Sequence, residues 1–268
     1  MTVAPLQPIV PLPALPLDQI ICGDNCEVMR TLPSESIDLV VTSPPYDDLR
    51  TYGGHGWDFY GVAWNLKRLL KPGGIIVWNV NDATKEGSET GTSMRQALHF
   101  QSIGLNLHDT MIWQKPKPTP QEQHPRYQPC FEFMFVLCKG YPPRAWNGLR
   151  EKAICGGHIA TSKGHRNTDD SFRHSESKTT VVNETRLRRN VWEIVNGGDG
   201  LHPAPFPEAL ARDHILSWSN EGDVVLDPFS GSGTTAKMAK HNGRRFIGIE
   251  VNPEYVEISQ QRLAQGVL

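Results

Sequence analysis

The chain has 268 residues, a formal net charge of −2, 38% hydrophobic and 21% charged residues. That is enough for one large α/β domain with an insertion, or two small domains, and the composition is that of a soluble globular protein. No apolar run is long enough to cross a bilayer, the near-neutral charge argues against a uniformly basic nucleic-acid coat, and five scattered cysteines point to a reduced, cytoplasmic setting rather than a disulfide framework.

Residues 1–17 are apolar but carry Pro5, Pro8, Pro11, Pro13 and Pro16. They lack the basic leader of a signal peptide and read as an extended Pro-rich arm. Residues 19–22 predict a short strand ending at Gly23-Asp24-Asn25, and 26–32 a helix stopped near Pro33. Residues 37–41 are a second apolar strand that runs into Thr42-Ser43-Pro44-Pro45-Tyr46. Two consecutive prolines lack backbone N–H groups, so the ladder stops there and a rigid tip projects from the strand's C-terminal end. The tip offers a hydroxyl at Ser43, a carbonyl at Pro44 and a ring at Tyr46.

Residues 47–56 are polar and Gly-rich and predict a mobile loop. Helical spacing over 57–70 ends at the breakers Lys71-Pro72-Gly73-Gly74, and 75–80 is a third strand. A polar loop (81–92) and a short helix (93–102) follow. Residues 107–113 and 131–138 predict strands able to pair as an antiparallel edge. The Pro-rich segment between them carries Lys115, Lys117 and Arg126 and must be a loop.

Between residues 139 and 190 there are 11 Lys/Arg against 5 Asp/Glu, leaving 16 against 24 for the rest. A basic insertion on an acidic body suggests a polyanionic partner. The segment shows little periodicity and reads as loop-rich; its Cys155, His158, His165 and His174 fit no common closed zinc site, so no metal is expected.

Beyond it lie a strand-like run (190–194), the segment His202-Pro203-Ala204-Pro205-Phe206-Pro207, and a helix over 208–217. An apolar strand, 223–226, leads into Asp227-Pro228-Phe229-Ser230-Gly231-Ser232-Gly233-Thr234-Thr235 and a helix over 236–242. A last strand, 245–249, ends in Glu250, and a helix over 254–265 closes the pattern. Strand, glycine turn, helix and a strand ending in an acid make a nucleoside-binding unit: the glycines admit a ligand close to the backbone, and Glu250 can accept from a ribose diol. Gly231-x-Gly233-x-x-Ala236 also satisfies the dinucleotide fingerprint, so an NAD-dependent oxidoreductase is a rival reading. Its position weighs against that, because only some 35 residues follow Gly233. A nucleic-acid-binding module without activity is a third reading.

Taken together, the Ser-Pro-Pro-Tyr tip and the Asp-Pro-Phe-Ser-Gly-Ser-Gly turn resemble the amino-group DNA methyltransferases. The order, with the tip first and the turn after a basic insertion, is that of the family's β group. The resemblance implies a doubly wound, mostly parallel Rossmann-like α/β fold. It divides the chain into the arm 1–17, a catalytic half 18–138, a target-recognition insertion 139–190 and a cofactor-binding half 191–268. It implies S-adenosylmethionine as cofactor, held by Asp24, by His202, Pro203 and Phe206, by Asp227, Pro228, Phe229, Ser230, Gly231, Ser232, Gly233 and Thr234, and by Glu250 and Asn252. Ser43, Pro44, Pro45 and Tyr46 are the implied catalytic residues. Ser43 and Pro44 would accept the two N–H bonds of an exocyclic base amine while Tyr46 stacks on a base flipped from the duplex. Relatives with Ser at this position mostly act on cytosine, which favours N(4)-methylcytosine over N(6)-methyladenine. Double-stranded DNA is the implied partner, with Lys115, Lys117, Arg126, Arg186, Arg188 and Arg189 as phosphate contacts. A cognate restriction endonuclease and a homodimer belong to the same expectation.

Overall fold

The computed structural model describes residues 14–46, 56–117, 125–166, 169, 171–195 and 207–265. In chain order the first elements are β1 (Gln19–Cys22), α1 (Asn25–Thr31), β2 (Ile37–Thr42), α2 (Phe59–Leu69) and β3 (Leu70–Val80). A two-residue hairpin, β4 (Thr84–Lys85) and β5 (Ser88–Glu89), precedes α3 (Thr92–Ser102), β6 (Asn106–Gln114) and β7 (Phe131–Cys138). Then come β8 (Arg150–Lys152), β9 (Ile159–Arg166), β10 (Phe172–Val181) and β11 (Thr185–Leu187). The last are β12 (Val191–Glu193), α4 (Glu208–Trp218), β13 (Val224–Asp227), α5 (Thr234–His241), β14 (Arg245–Glu250) and α6 (Pro253–Ala264).

Eight strands form one sheet in the order β1-β14-β13-β2-β3-β7-β6-β12. All neighbouring pairs are parallel except β3–β7 and β7–β6, so the antiparallel pair expected from the sequence is present, and β12 extends it in parallel to β6. This is a mostly parallel α/β sheet. Parallel strands need helical cover on both faces, which is why their sequences are nearly unbroken apolar runs. Alternate residues divide between the faces. Ile76, Trp78, Phe135, Leu137, Leu226 and Ile249 join α1, α2 and α3 in one core cluster. Ile75, Val77, Met134, Val136 and Val225 are as deeply buried on the opposite side, where α4 and α5 lie against the sheet.

The strand β3 begins five residues before its sequence expectation, passing through Lys71-Pro72-Gly73-Gly74. A proline at the start of a strand is tolerated where the ladder is irregular. The register shifts there, from Ile37 opposite Leu70 to Leu39 opposite Ile75. Gly73 absorbs the shift at φ 76°, with its N–H on the Lys139 carbonyl at 2.7 Å.

The chain gathers into two compact units, residues 1–147 with 190–268, and Gly148–Arg189. The second unit contains two antiparallel ribbons, β8 with β11 and β9 with β10, the latter with a register shift between His174 and Lys178. The residues of β8 and β11 are exposed or half-buried with no apolar alternation, so these strands leave little signal in the sequence. Among the described residues no helix is long and apolar enough to cross a membrane.

Candidate active site

Every residue of β2 is buried. The chain leaves the strand at Ser43, and four elements then converge on its tip. Ser43 Oγ lies 2.9 Å from the Tyr46 hydroxyl, which donates to Glu132 Oε2 at 2.7 Å. Asn79, one residue from the end of β3, brings its Nδ2 to 2.8 Å from the Tyr46 oxygen and 2.7 Å from Glu132 Oε2, with Ser43 Oγ at 3.4 Å. Lys115, just past β6, forms an ion pair with Glu132 Oε1. The C-terminal ends of β2, β3 and β6 meet the N-terminal end of the antiparallel β7, because β7 runs the other way between β3 and β6.

Glu132 is 6% exposed and Asn79 1%. A buried carboxylate persists only when paired and hydrogen-bonded, and here Lys115 takes one oxygen while Tyr46 and Asn79 take the other. Asn79 Oδ1 is buried without a hydrogen-bond partner. Sequence reasoning missed Asn79 and Glu132. The available signal was a polar residue inside an apolar run, Trp78-Asn79-Val80 and Phe131-Glu132-Phe133. Lys115, expected on a DNA-facing loop, forms an ion pair with Glu132, and the Tyr46 hydroxyl is turned into this network.

The glycine turn lies beside the tip, since β13 pairs with β2. Thr42 Oγ1 donates to Asp227 Oδ1 at 2.6 Å, which also accepts from the Phe229 N–H at 3.1 Å. Burial pushes the Asp227 carboxyl up to about 6, against the lowering effect of hydrogen bonds from Thr42, Phe229 and Thr235; the nearby Glu250 charge raises it further. Pro228 accepts from Asn25 Nδ2 at 3.3 Å, and the Phe229 ring packs edge-on against Trp57 at 4.9 Å. Gly231 and Gly233 have φ of 49° and 80°, and a Cβ on Gly233 would stand 2.7 Å from Ser259 Cβ. Only glycine meets both demands. The Gly233 N–H closes the turn on the Ser230 carbonyl at 2.8 Å, and Thr234 opens α5.

Glu250 ends β14 with Oε2 on the Gly231 N–H at 2.8 Å and Oε1 on the Asn252 N–H at 2.9 Å. Asn252 caps α6 through its own side chain, and Asp24 caps α1 by accepting from Glu27 N–H at 2.9 Å. The Gly23 N–H reaches the Glu250 carbonyl at 3.0 Å, so the acids at the ends of β1 and β14 are neighbours. Arg262 of α6 donates to the Ser232 carbonyl at 2.7 Å and its hydroxyl at 2.8 Å, and pairs with Glu208 at 2.8 Å, a carboxylate it shares with Lys237.

Lys117 is exposed. Arg126 is held by Glu89 at 3.6 Å and by the Gly87 carbonyl. In the second unit Arg186 and Arg189 both pair with Glu151, at 2.8 and 3.4 Å, and the Arg188 N–H bonds the Leu149 carbonyl at 2.8 Å. His202, Pro203 and Phe206, most of the arm 1–17 and most of the loop 47–56 lie outside the described residues.

A protein-family profile described as DNA methylase matches residues 37–261. The orphan methyltransferase M.BamHII of Bacillus amyloliquefaciens is 47% identical over 245 residues, covering 87% of this chain and 91% of that protein. The DNA adenine methyltransferase YhdJ of Escherichia coli K12 is 29% identical over 257 residues, covering 91% of this chain and 82% of that protein. A solved DNA modification methylase from Thermus thermophilus, complexed with S-adenosyl-L-methionine, superposes with a TM-score of 0.62 at 27% identity, covering 92% of this chain and 95% of that one.

Proposed function

This chain belongs to the DNA methylase family and is an S-adenosylmethionine-dependent DNA methyltransferase; from that premise we propose that it methylates the exocyclic amino nitrogen of a cytosine flipped out of double-stranded DNA, giving N(4)-methylcytosine. The observation that carries this reading is the Thr42–Asp227 hydrogen bond of 2.6 Å. It ties the strand end bearing an amine-acceptor tip to the strand end bearing a nucleoside-type glycine turn. A methyl donor and an amine acceptor must meet at one place, and adjacent C-terminal strand ends supply it.

The residues fit the cofactor. The neighbouring carboxylates Asp24 and Glu250 suit hydroxyl donors and a cationic ligand, and left-handed Gly231 and Gly233 leave the turn without side chains. His202, Pro203 and Phe206 complete this set in the proposal. When bound, the cofactor supplies an electrophilic methyl group on a sulfonium sulfur.

The chain's own residues prepare the nucleophile. An exocyclic amine is weakly nucleophilic because its lone pair is delocalised into the ring. Ser43 Oγ and the Pro44 carbonyl accept its two N–H bonds and turn the lone pair out of conjugation. Pro45 fixes the tip, and the Tyr46 ring packs against the base. Catalysis then comes from alignment and from acceptors set for developing positive charge. The basic unit Gly148–Arg189 acts as the target-recognition region. Lys117, Arg126, Arg186, Arg188 and Arg189 position the duplex through phosphates, while sequence is read by other contacts.

The relative named as a DNA adenine methyltransferase supports a second reading, transfer to adenine N6. Ser43 at the tip favours cytosine. Incubation with labelled S-adenosylmethionine and unmethylated DNA, followed by hydrolysis to nucleosides and chromatography, decides the matter. Label in N(4)-methyldeoxycytidine is expected. Label in N(6)-methyldeoxyadenosine overturns the cytosine reading, and DNA without label overturns both.

A further inference from the structure

We infer that Ser43, Tyr46 and Glu132 form a proton-exit chain, with the Glu132 carboxylate taking the proton that the methylated amine must lose. The inference rests on the amino-methylation reading above. A tyrosine hydroxyl has one proton, and Tyr46 directs it to Glu132 Oε2 at 2.7 Å. The 2.9 Å contact between Ser43 Oγ and Tyr46 is therefore filled by the Ser43 proton. Ser43 is left with its lone pairs toward the pocket, in the state required to accept an amine N–H. Hydroxyl, hydroxyl and carboxylate thus stand in donor-to-acceptor order.

The neighbours hold that order. Asn79 Nδ2 donates to both the Tyr46 oxygen and Glu132 Oε2, so it fixes two links of the chain and can receive a proton from neither. Lys115 occupies Glu132 Oε1 and leaves Oε2 as the receiving atom. A merely structural ion pair would need Lys115 and Glu132 alone. It would not need the second oxygen to be joined through Tyr46 to the residue that meets the amine.

The step balances without a redox partner. The N–CH3 bond forms as the S–CH3 bond breaks, and the amine nitrogen becomes cationic. Its N–H bond then breaks toward Ser43 Oγ, the Ser43 proton moves to the Tyr46 oxygen, and the Tyr46 proton moves to Glu132 Oε2. Both hydroxyls are regenerated, and one proton rests on the carboxylate. It passes to water after the product leaves, at a pair whose Lys115 side chain is 22% exposed.

The test is single-turnover methyl transfer to duplex DNA by the full chain, with cofactor affinity measured alongside. Positioned acid–base groups contribute roughly 10²–10⁴-fold. Glu132→Gln is expected to slow the single turnover by about 10²-fold or more, with cofactor Kd within twofold of wild type. Tyr46→Phe interrupts the chain and should slow it comparably. Glu132→Ala should regain rate in proportion to added formate, which replaces the missing carboxylate, whereas Tyr46→Phe should not respond. A Glu132→Gln rate within threefold of wild type, or a Glu132→Ala rate indifferent to formate, overturns the proposal and leaves Glu132 as the counter-ion of Lys115. Absence of methyl transfer by the wild-type chain is a different result, and it overturns the amino-methylation reading itself.

Discussion

Asp227 makes a sharp prediction about stability. It is buried, and burial raises its carboxyl from the ordinary 3.8 to about 6. Each unit of pKa difference between folded and unfolded chains is worth 1.36 kcal/mol, so the ionised group costs the fold about 3 kcal/mol above pH 6. The sign follows from the direction. A carboxyl whose pKa is raised on folding gives its full stabilisation below pH 3.8, and that stabilisation is lost as pH rises through about 6. Asp227→Asn removes the charge and keeps the geometry. Asparagine retains the Oδ1 that accepts from Thr42 and Phe229. Urea unfolding of both proteins from pH 3.5 to 8 measures the effect. The variant should match wild type at the acid end and exceed it by about 3 kcal/mol at the other. A difference that is flat with pH, or a variant less stable than wild type at pH 7.5, refutes the reasoning.

Other expectations follow from the same geometry. Gly233→Ala combines a left-handed backbone with the 2.7 Å approach to Ser259 Cβ, and should lower urea stability by roughly 2–4 kcal/mol; a loss under 0.5 would contradict the packing described. Ser43→Ala should reduce methyl transfer by about 10²–10³-fold while cofactor affinity, read by calorimetry, stays within twofold. Arg262→Ala withdraws two donors from Ser232, and calorimetry should show cofactor affinity weakened about tenfold, a cost of about 1.4 kcal/mol. Lys117→Ala should reduce the slope of log affinity against log salt for duplex DNA by about 0.9 if it neutralises one phosphate, and an unchanged slope would remove it from the interface.

Local chemistry was legible where neighbours in sequence are neighbours in space. The Asp227–Gly233 turn, the Glu250 strand end and the proline-stopped tip at Ser43 all follow from adjacent residues. The antiparallel partners β6 and β7 were also visible as apolar runs on either side of a Pro-rich loop. What escaped depends on distance along the chain. Thr42 and Asp227 are 185 positions apart, and each alone reads as the first residue after a strand. Glu132 looks like a lone charge in an apolar run until Tyr46, 86 positions earlier, is placed against it. Lys115 looked like one more cation on a basic loop because its partner lies on another strand. The start of β3 was hidden for another reason: Pro72-Gly73-Gly74 has breaker chemistry, and the strand tolerates it only through a register shift.

The sheet order also fixes a timetable for synthesis. β2 pairs with β3 on one side and with β13 on the other. A nascent chain can assemble β2, β3, β7 and β6 early, but the β13 edge of β2 waits for the stretch around Asp227. At 5–20 residues per second, the 185 positions between Thr42 and Asp227 take about 10–40 s. For that interval a strand destined for full burial presents open backbone groups, the condition that invites pairing with another chain. The half-made protein is therefore at its most vulnerable on the ribosome. It also lacks the glycine turn, so a chain released early carries the Ser43–Tyr46 tip without the Asp227 partner of Thr42.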